Sequence, residues 1–144
     1  MNFPFFNRLQ VKKLVVPTDG EPGRQAEAML ARLLRELPEL LMAYVADNQS
    51  GTMLASYTAN VAYNPNHLSL RNAKLLRTMQ EALATKAWVG GPLTDTSVML
   101  EDQLHHLRPL PTQDWHCFVA VRLADANLGI LKDVVRRATS LDNE

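Results

Sequence analysis

At 144 residues the chain is long enough to bury a core without metals or disulfides. Its 47% hydrophobic and 21% charged side chains are the balance of a globular domain rather than of a disordered or fibrous chain. Fifteen basic side chains cancel fifteen acidic ones, which argues against general nucleic-acid binding, whose affinity rests on neutralising phosphates, and leaves little self-repulsion to oppose association with a second copy.

The single Cys117 excludes an intramolecular disulfide and fits a reducing compartment. No apolar run approaches the roughly 20 residues of a membrane span. The opening stretch MNFPFFNRLQVKK is apolar first and basic afterwards, the reverse of a signal peptide. A cytoplasmic protein with no membrane contact is expected.

Residues 1–22 read as an N-terminal extension: aromatic at Phe3, Phe5 and Phe6, apolar at Leu14 to Val16, and broken by Pro17, Gly20, Pro22 and Gly23. The domain proper is expected over 23–140 and a frayed tail over 141–144. From Arg24 to Leu37, Ala26, Met29, Leu30, Leu33, Leu34 and Leu37 recur at spacings of three and four. That is one helical stripe, ended by Pro38.

Leu40 to Thr58 then reads as a β-hairpin, turning through Asp47 to Gly51. Its first run, Leu40 to Ala46, is apolar at nearly every position without alternation, the mark of a strand covered on both faces. Asn64-Pro65 is a helix start, an Asn cap followed by Pro at the first position. That helix is expected to run to Ala87 or Trp88, where Gly90-Gly91-Pro92 stops it. It carries two apolar lines, Ala73, Leu76, Met79 and Leu83, and Leu68, Leu75 and Ala82. One sheet needs only one stripe of about 100°, so the second line points to another copy of the chain or to cover by the N-terminal arm.

Three further strands are expected at 94–101, 103–109 and 115–123, with Glu101-Asp102 as a tight turn. The last of them, WHCFVAVRL, is again apolar throughout and should be central. A final helix, capped by Asp125, is expected to run to Ala138 on Leu128, Leu131, Val135 and Ala138. Gly129 in its first turn suggests a close backbone approach. The order is helix, two strands, helix, three strands, helix, an α+β domain with a five-stranded antiparallel sheet.

The chemistry-bearing side chains do not form a recognisable site. His105 and His106 are neighbours on a strand and point to opposite faces, as do His116 and Cys117. None of these residues has zinc-ligand spacing. No phosphate loop is present, because Gly90-Gly91-Pro92 follows a helix rather than opening one. Glu101 and Asp102 fit a solvated turn better than an acid/base pair. No catalytic residue, cofactor or metal is expected. Arg71, Lys74 and Arg77 line one side of the long helix, as a solvated face or as an electrostatic patch that orients a protein partner.

Three stretches carry a family resemblance. They are Leu37-Pro38-Glu39-Leu40 leading into Ala46 to Gly51; Val98 to Glu101 through Leu107-Arg108-Pro109-Leu110; and Phe118 to Val121 followed by Ala126-Asn127-Leu128-Gly129. In order and spacing the chain resembles the roadblock/dynein light chain family, more closely its bacterial MglB-like branch, over roughly 24–140. The resemblance implies a profilin-like fold, α-β-β-α-β-β-β-α, with sheet order 2-1-5-4-3 and helices on both faces. It also implies a homodimer through the second helix and third strand, here Leu68, Ala73, Leu75, Leu76, Met79, Ala82, Thr96 and Val98. Relatives act as non-enzymatic regulators or scaffolds, often for small Ras-like GTPases, so a GTPase partner near Arg71, Lys74 and Arg77 is expected. The rival is a small-molecule sensor on the same profilin-like sheet, which needs a pocket of about 300 Å³ or more.

Overall fold

The computed structural model describes residues 13–60, 62–84 and 90–140. Residues 1–12 of the expected extension, 85–88 at the expected end of the long helix and the tail 141–144 lie outside them. Strand β1 (Lys13–Val15) is followed by helix α1 (Gly20–Glu36), the hairpin β2 (Met42–Asp47) and β3 (Met53–Thr58), and helix α2 (Ser69–Leu83). Then come β4 (Thr96–Met99), β5 (Gln103–Leu110), β6 (Trp115–Arg122) and helix α3 (Leu128–Ala138).

All strands join one antiparallel sheet in the order β1-β3-β2-β6-β5-β4. This corrects the expected five-stranded sheet: a sixth strand enters the order, while the five expected strands keep the neighbours 2-1-5-4-3 among themselves. The added strand, from the stretch read as an extension, pairs with the outer side of β3, Lys13 opposite Thr58 and Val15 opposite Ser56. Three residues on an edge leave no periodicity to recognise.

The two strands without polar alternation, β2 and β6, lie side by side at the centre, Tyr44 opposite Phe118 and Val45 opposite Cys117. Alternate residues feed two cores. On one face Ala43, Val45, Tyr57, Cys117, Val119 and Val121 pack with α1 and α3 through Met29, Leu30, Leu33, Leu131 and Val135. On the other, Met42, Tyr44, Leu107, Phe118 and Ala120 meet Leu76 of α2. Helices therefore cover both faces, α1 and α3 on one and α2 on the other.

Two glycines explain how elements close on one another. Gly51, at φ +72°, ends the β2–β3 turn, and a Cβ there would come within 2.5 Å of the Leu70 side chain. Gly23 opens α1 so tightly against the Thr18 carbonyl that a Cβ would lie 1.9 Å from its oxygen. Gly129 does not have the close approach expected of it: a Cβ there would meet Asn127 Oδ1 at an ordinary 3.6 Å.

The helix ends also differ in detail from expectation. Asn64 does accept from a backbone N–H, that of Asn66 at 3.0 Å, but it caps the 3₁₀ turn Pro65–His67, and α2 begins only at Ser69. The cap of α3 is Asn127, which accepts from the Ile130 N–H at 3.0 Å, while Asp125 sits in a 3₁₀ turn before it. An Asx side chain caps from the residue adjoining the first turn, so two candidates two residues apart are not separable by composition.

Candidate functional site

The surface that sequence assigned to association is only partly free. Ala73 and Leu76 are 4% and 3% exposed and are used inside the subunit, against the sheet. Leu68 and Met79 are half-buried beside them. Leu75 is 38% exposed, Ala82 is exposed, and Val98 on β4 is 39% exposed, with Thr96 half-buried on the same face. One line of α2 thus faces the core and the other faces out, the division that a double stripe implies.

Val98 of β4 lies on the sheet face that α2 covers, and Met99 on the other. Val98 pairs with His105, and the His105 imidazole is pushed below its ordinary pKa by burial and by the nearby Arg71 charge. Arg71 and Leu75 lie one helical turn apart on α2. β4 is an edge strand, and two residues the sequence assignment missed, Met99 (69% exposed) and Leu100, add apolar surface to it. An unprotected apolar edge with free backbone groups is a template for pairing with another chain. Lys74 and Arg77 are exposed on α2, and neither they nor Arg71 has a salt bridge among the described residues.

β4 is fastened to β5 by a polar cluster on the α1/α3 face. Asp95, just before β4, accepts from His106 Nε2–H at 2.9 Å and from Arg108 Nη1–H at 2.9 Å. A carboxylate only accepts, so Nε2 carries a proton, and Nδ1 shares a 2.8 Å hydrogen bond with the Ser97 hydroxyl. Burial alone would raise the Asp95 pKa, but the His106 hydrogen bond and the Arg108 charge outweigh it and hold the carboxyl below its ordinary range. The residue types are those of a nucleophile triad. Here His106 is buried and Asp95 is shared with an arginine, and the geometry's direct consequence is that the start of a four-residue strand is tied to its neighbour.

A second polar chain runs beneath α2. Asn72 Nδ2 donates to Tyr44 Oη at 2.9 Å, Tyr44 donates to His116 Nε2 at 2.9 Å, and His116 Nδ1–H donates to Asn48 Oδ1 at 2.8 Å. Asn48 in turn donates to Asp114 Oδ1 and to the Trp115 carbonyl, each at 3.0 Å, which fixes its amide orientation and hence the His116 tautomer. Asp114, at φ +62°, is held from the other oxygen by Gln49. The network joins α2, the two central strands and the two loops at one end of the sheet. Cys117, next to His116, faces the opposite core, where burial pushes its thiol up to about 12, so it is a packed, un-ionised side chain.

Two surface clefts of about 500 Å³ also occur, one between Arg108, Thr112, Gln113, Arg136 and Ser140, the other between Val15, Met53, Ser56, Tyr63 and Asn66. They meet the size a small-molecule site needs. Among the described residues no group of three or more His, Cys, Asp or Glu side chains is placed to hold a metal ion. None of the described helices is long and apolar enough to cross a membrane.

An antiparallel sheet with α2 alone on one face and α1 and α3 together on the other defines the class: this is a roadblock/LC7-type α+β fold. The particular likeness is to MglB. Myxococcus xanthus MglB superposes with a TM-score of 0.70 at 12% identity, over 87% of this chain and 89% of that one. An MglB described as having a tetrameric arrangement gives 0.67 at 18% identity, over 87% and 90%. The Roadblock/LC7 domain from Streptomyces avermitilis gives 0.62 at 15% identity, over 77% and 88%. No family model matches the sequence, and no curated protein matches it. At such identities the likeness is one of fold, and at that level the resemblance read from the three sequence stretches is borne out.

Proposed function

We propose that this chain is a non-enzymatic regulatory or scaffold module that pairs with a second copy of itself and engages a small Ras-like GTPase. The reading is carried by the edge strand β4, which among the described residues pairs only with β5 and leaves Val98, Met99 and Leu100 exposed, Val98 on the sheet face that α2 covers and Met99 on the other. Two such edges meeting about a two-fold axis would continue one sheet into the other, with the Leu75–Ala82 lines of the two α2 helices in contact. The MglB with a tetrameric arrangement supports self-association in proteins of this fold. Arg71, Lys74 and Arg77 give the outer side of α2 a positive face suited to an acidic partner surface. The GTPase assignment rests on the family resemblance of the sequence.

Light scattering on Leu75→Asp tests the dimer. A folded protein of half the wild-type mass is expected, and an unchanged oligomer rejects the interface. Pull-down against a small GTPase from the same genome, loaded with either nucleotide, tests the partner; retention in neither state removes it. The second reading, a small-molecule sensor, is favoured by the cleft between Arg108 and Arg136. Native mass spectrometry would then show a non-covalent adduct on the purified protein, and a bare polypeptide mass would reject it.

A further inference from the structure

The sheet face that α2 covers is apolar along its centre, where Met42, Leu107, Phe118 and Ala120 gather. β3 breaks that pattern. Ser56 stands opposite Tyr44 and Thr58 opposite Met42, so both lie on this face, and they are only 8% and 7% exposed. A buried hydroxyl without a hydrogen bond is costly, so native structures pair them. The other buried polar side chains obey. Ser69 bonds the Gly51 carbonyl, Asn72 Tyr44, His106 Asp95, His116 Asn48, and Thr139 the Val135 carbonyl. Ser56 and Thr58 are the two exceptions: neither hydroxyl has a partner among the described residues.

Both open into the cleft of about 500 Å³ between β3 and the turn at 63–66. Solvent reaches their oxygens there, for the sealed and unpartnered side-chain atoms are Tyr57 Oη and Arg108 Nε. Val15, Met53 and Pro65 give the cleft an apolar wall, Tyr63 an aromatic one, and none of the described lining residues is charged. An ion would leave water here without an opposite charge to meet it. A hydroxyl both donates and accepts, and so pairs best with groups that do the same. Two residues apart on one strand, Ser56 and Thr58 are separated by about 7 Å, a span that a ring with hydroxyls on both sides can bridge. The volume is in the range of small-molecule sites.

We propose that this cleft binds a neutral polyhydroxylated ring, a free sugar or the ribose of a nucleoside, held by Ser56 Oγ and Thr58 Oγ1. β1 and β4 are at opposite ends of the strand order, so the site is separate from the pairing edge. It also takes different chemistry from the Arg108–Arg136 cleft. The inference stands apart from the dimer and the GTPase.

Saturation-transfer NMR on the full chain, with methyl α-glucopyranoside and with adenosine as probes, tests it. Transfer to the sugar-ring protons of at least one probe is expected. The glucoside alone identifies a free sugar and adenosine alone a nucleoside. Ser56→Ala and Thr58→Val each remove a hydroxyl and little volume. Each should raise the Kd read by titration at least fivefold, and neither should lower the melting temperature of the free protein, since the lost hydroxyl had no partner. Arg136→Gln, in the other cleft, should leave the titration unchanged. No transfer from either probe, binding that both hydroxyl variants leave intact, or an equal loss in Arg136→Gln would each overturn the proposal. A melting temperature that falls in both hydroxyl variants would overturn it as well, by making the hydroxyls part of the fold.

Discussion

Tyr44 Oη donates to His116 Nε2 at 2.9 Å in the buried layer beneath α2, and the bond requires a neutral imidazole. Burial lowers the His116 pKa to about 4. In the unfolded chain the group titrates near 6.5, so its contribution is fully present above that pH and is lost as pH falls from about 6.5 to about 4. A shift of that size corresponds to about 3 kcal/mol at the acid end. His105 is shifted in the same direction, so the wild-type curve carries both groups. Urea unfolding at pH 7.0, 5.5 and 4.5 should show a steeper loss in wild type than in His116→Gln. Equal slopes would show that His116 is not held neutral.

Glycine positions separate by what a Cβ would meet. Gly51→Ala forces a side chain into a left-handed turn and against Leu70, and should cost about 1–2 kcal/mol. Gly129→Ala meets only an ordinary contact in the first turn of α3 and should stabilise by about 0.5–1 kcal/mol. Thermal melts of the two variants should move in opposite directions. A destabilised Gly129→Ala would mean that the α3 entry needs a backbone freedom that its φ does not reveal.

The glycine pair also marks what was legible in the sequence. Leu40 to Ala46 and Trp115 to Leu123 announce themselves as central strands because burial on both faces removes alternation, and they lie side by side in the sheet. β1 was not legible. Three residues on an edge, of which Leu14 and Val15 are both exposed, have no room for a period, and their placement depends on β3 accepting them, a tertiary fact. The double stripe of α2 was visible, but which line faces the sheet was not. Leu75 and Leu76 are adjacent and equally apolar, and only the packed helix assigns one outward and the other inward. The Asp95–His106–Ser97 cluster was missed because its members come from two strands and a loop. The one signal available was two adjacent histidines opposite a Ser, in a hairpin whose register sequence does not set.

Asp95 is nearly buried, with His106 on one oxygen and Arg108 on the other. Asp95→Asn leaves the guanidinium without its counter-charge and turns an acceptor into a donor facing the His106 N–H. Removing one partner of a buried pair costs about 3–5 kcal/mol, and a loss toward the lower end is expected because Arg108 is partly solvated. The loss should fall first on β4. Hydrogen exchange of the amides of 96–99 should accelerate more than that of β2 and β6. Uniform acceleration across the sheet would mean that the cluster braces the whole fold rather than its edge.

Leu75 and Leu76 give the sharpest division between fold and association. Leu76 is enclosed by Met42, Tyr44, Phe118 and Ala120 in the core beneath α2. Leu76→Ala should therefore cost about 2–5 kcal/mol through the cavity it leaves. Leu75 is more than a third exposed, and Leu75→Ala should change the unfolding free energy of the separated subunit by less than about 0.5 kcal/mol. The order reverses for self-association, where Leu75→Ala should weaken pairing and Leu76→Ala should leave it intact at temperatures where the variant is folded. Urea unfolding and sedimentation equilibrium on the same two proteins read both quantities. If Leu75→Ala unfolds the subunit while leaving its mass unchanged, the outward line of α2 belongs to the core, and the pairing surface lies elsewhere.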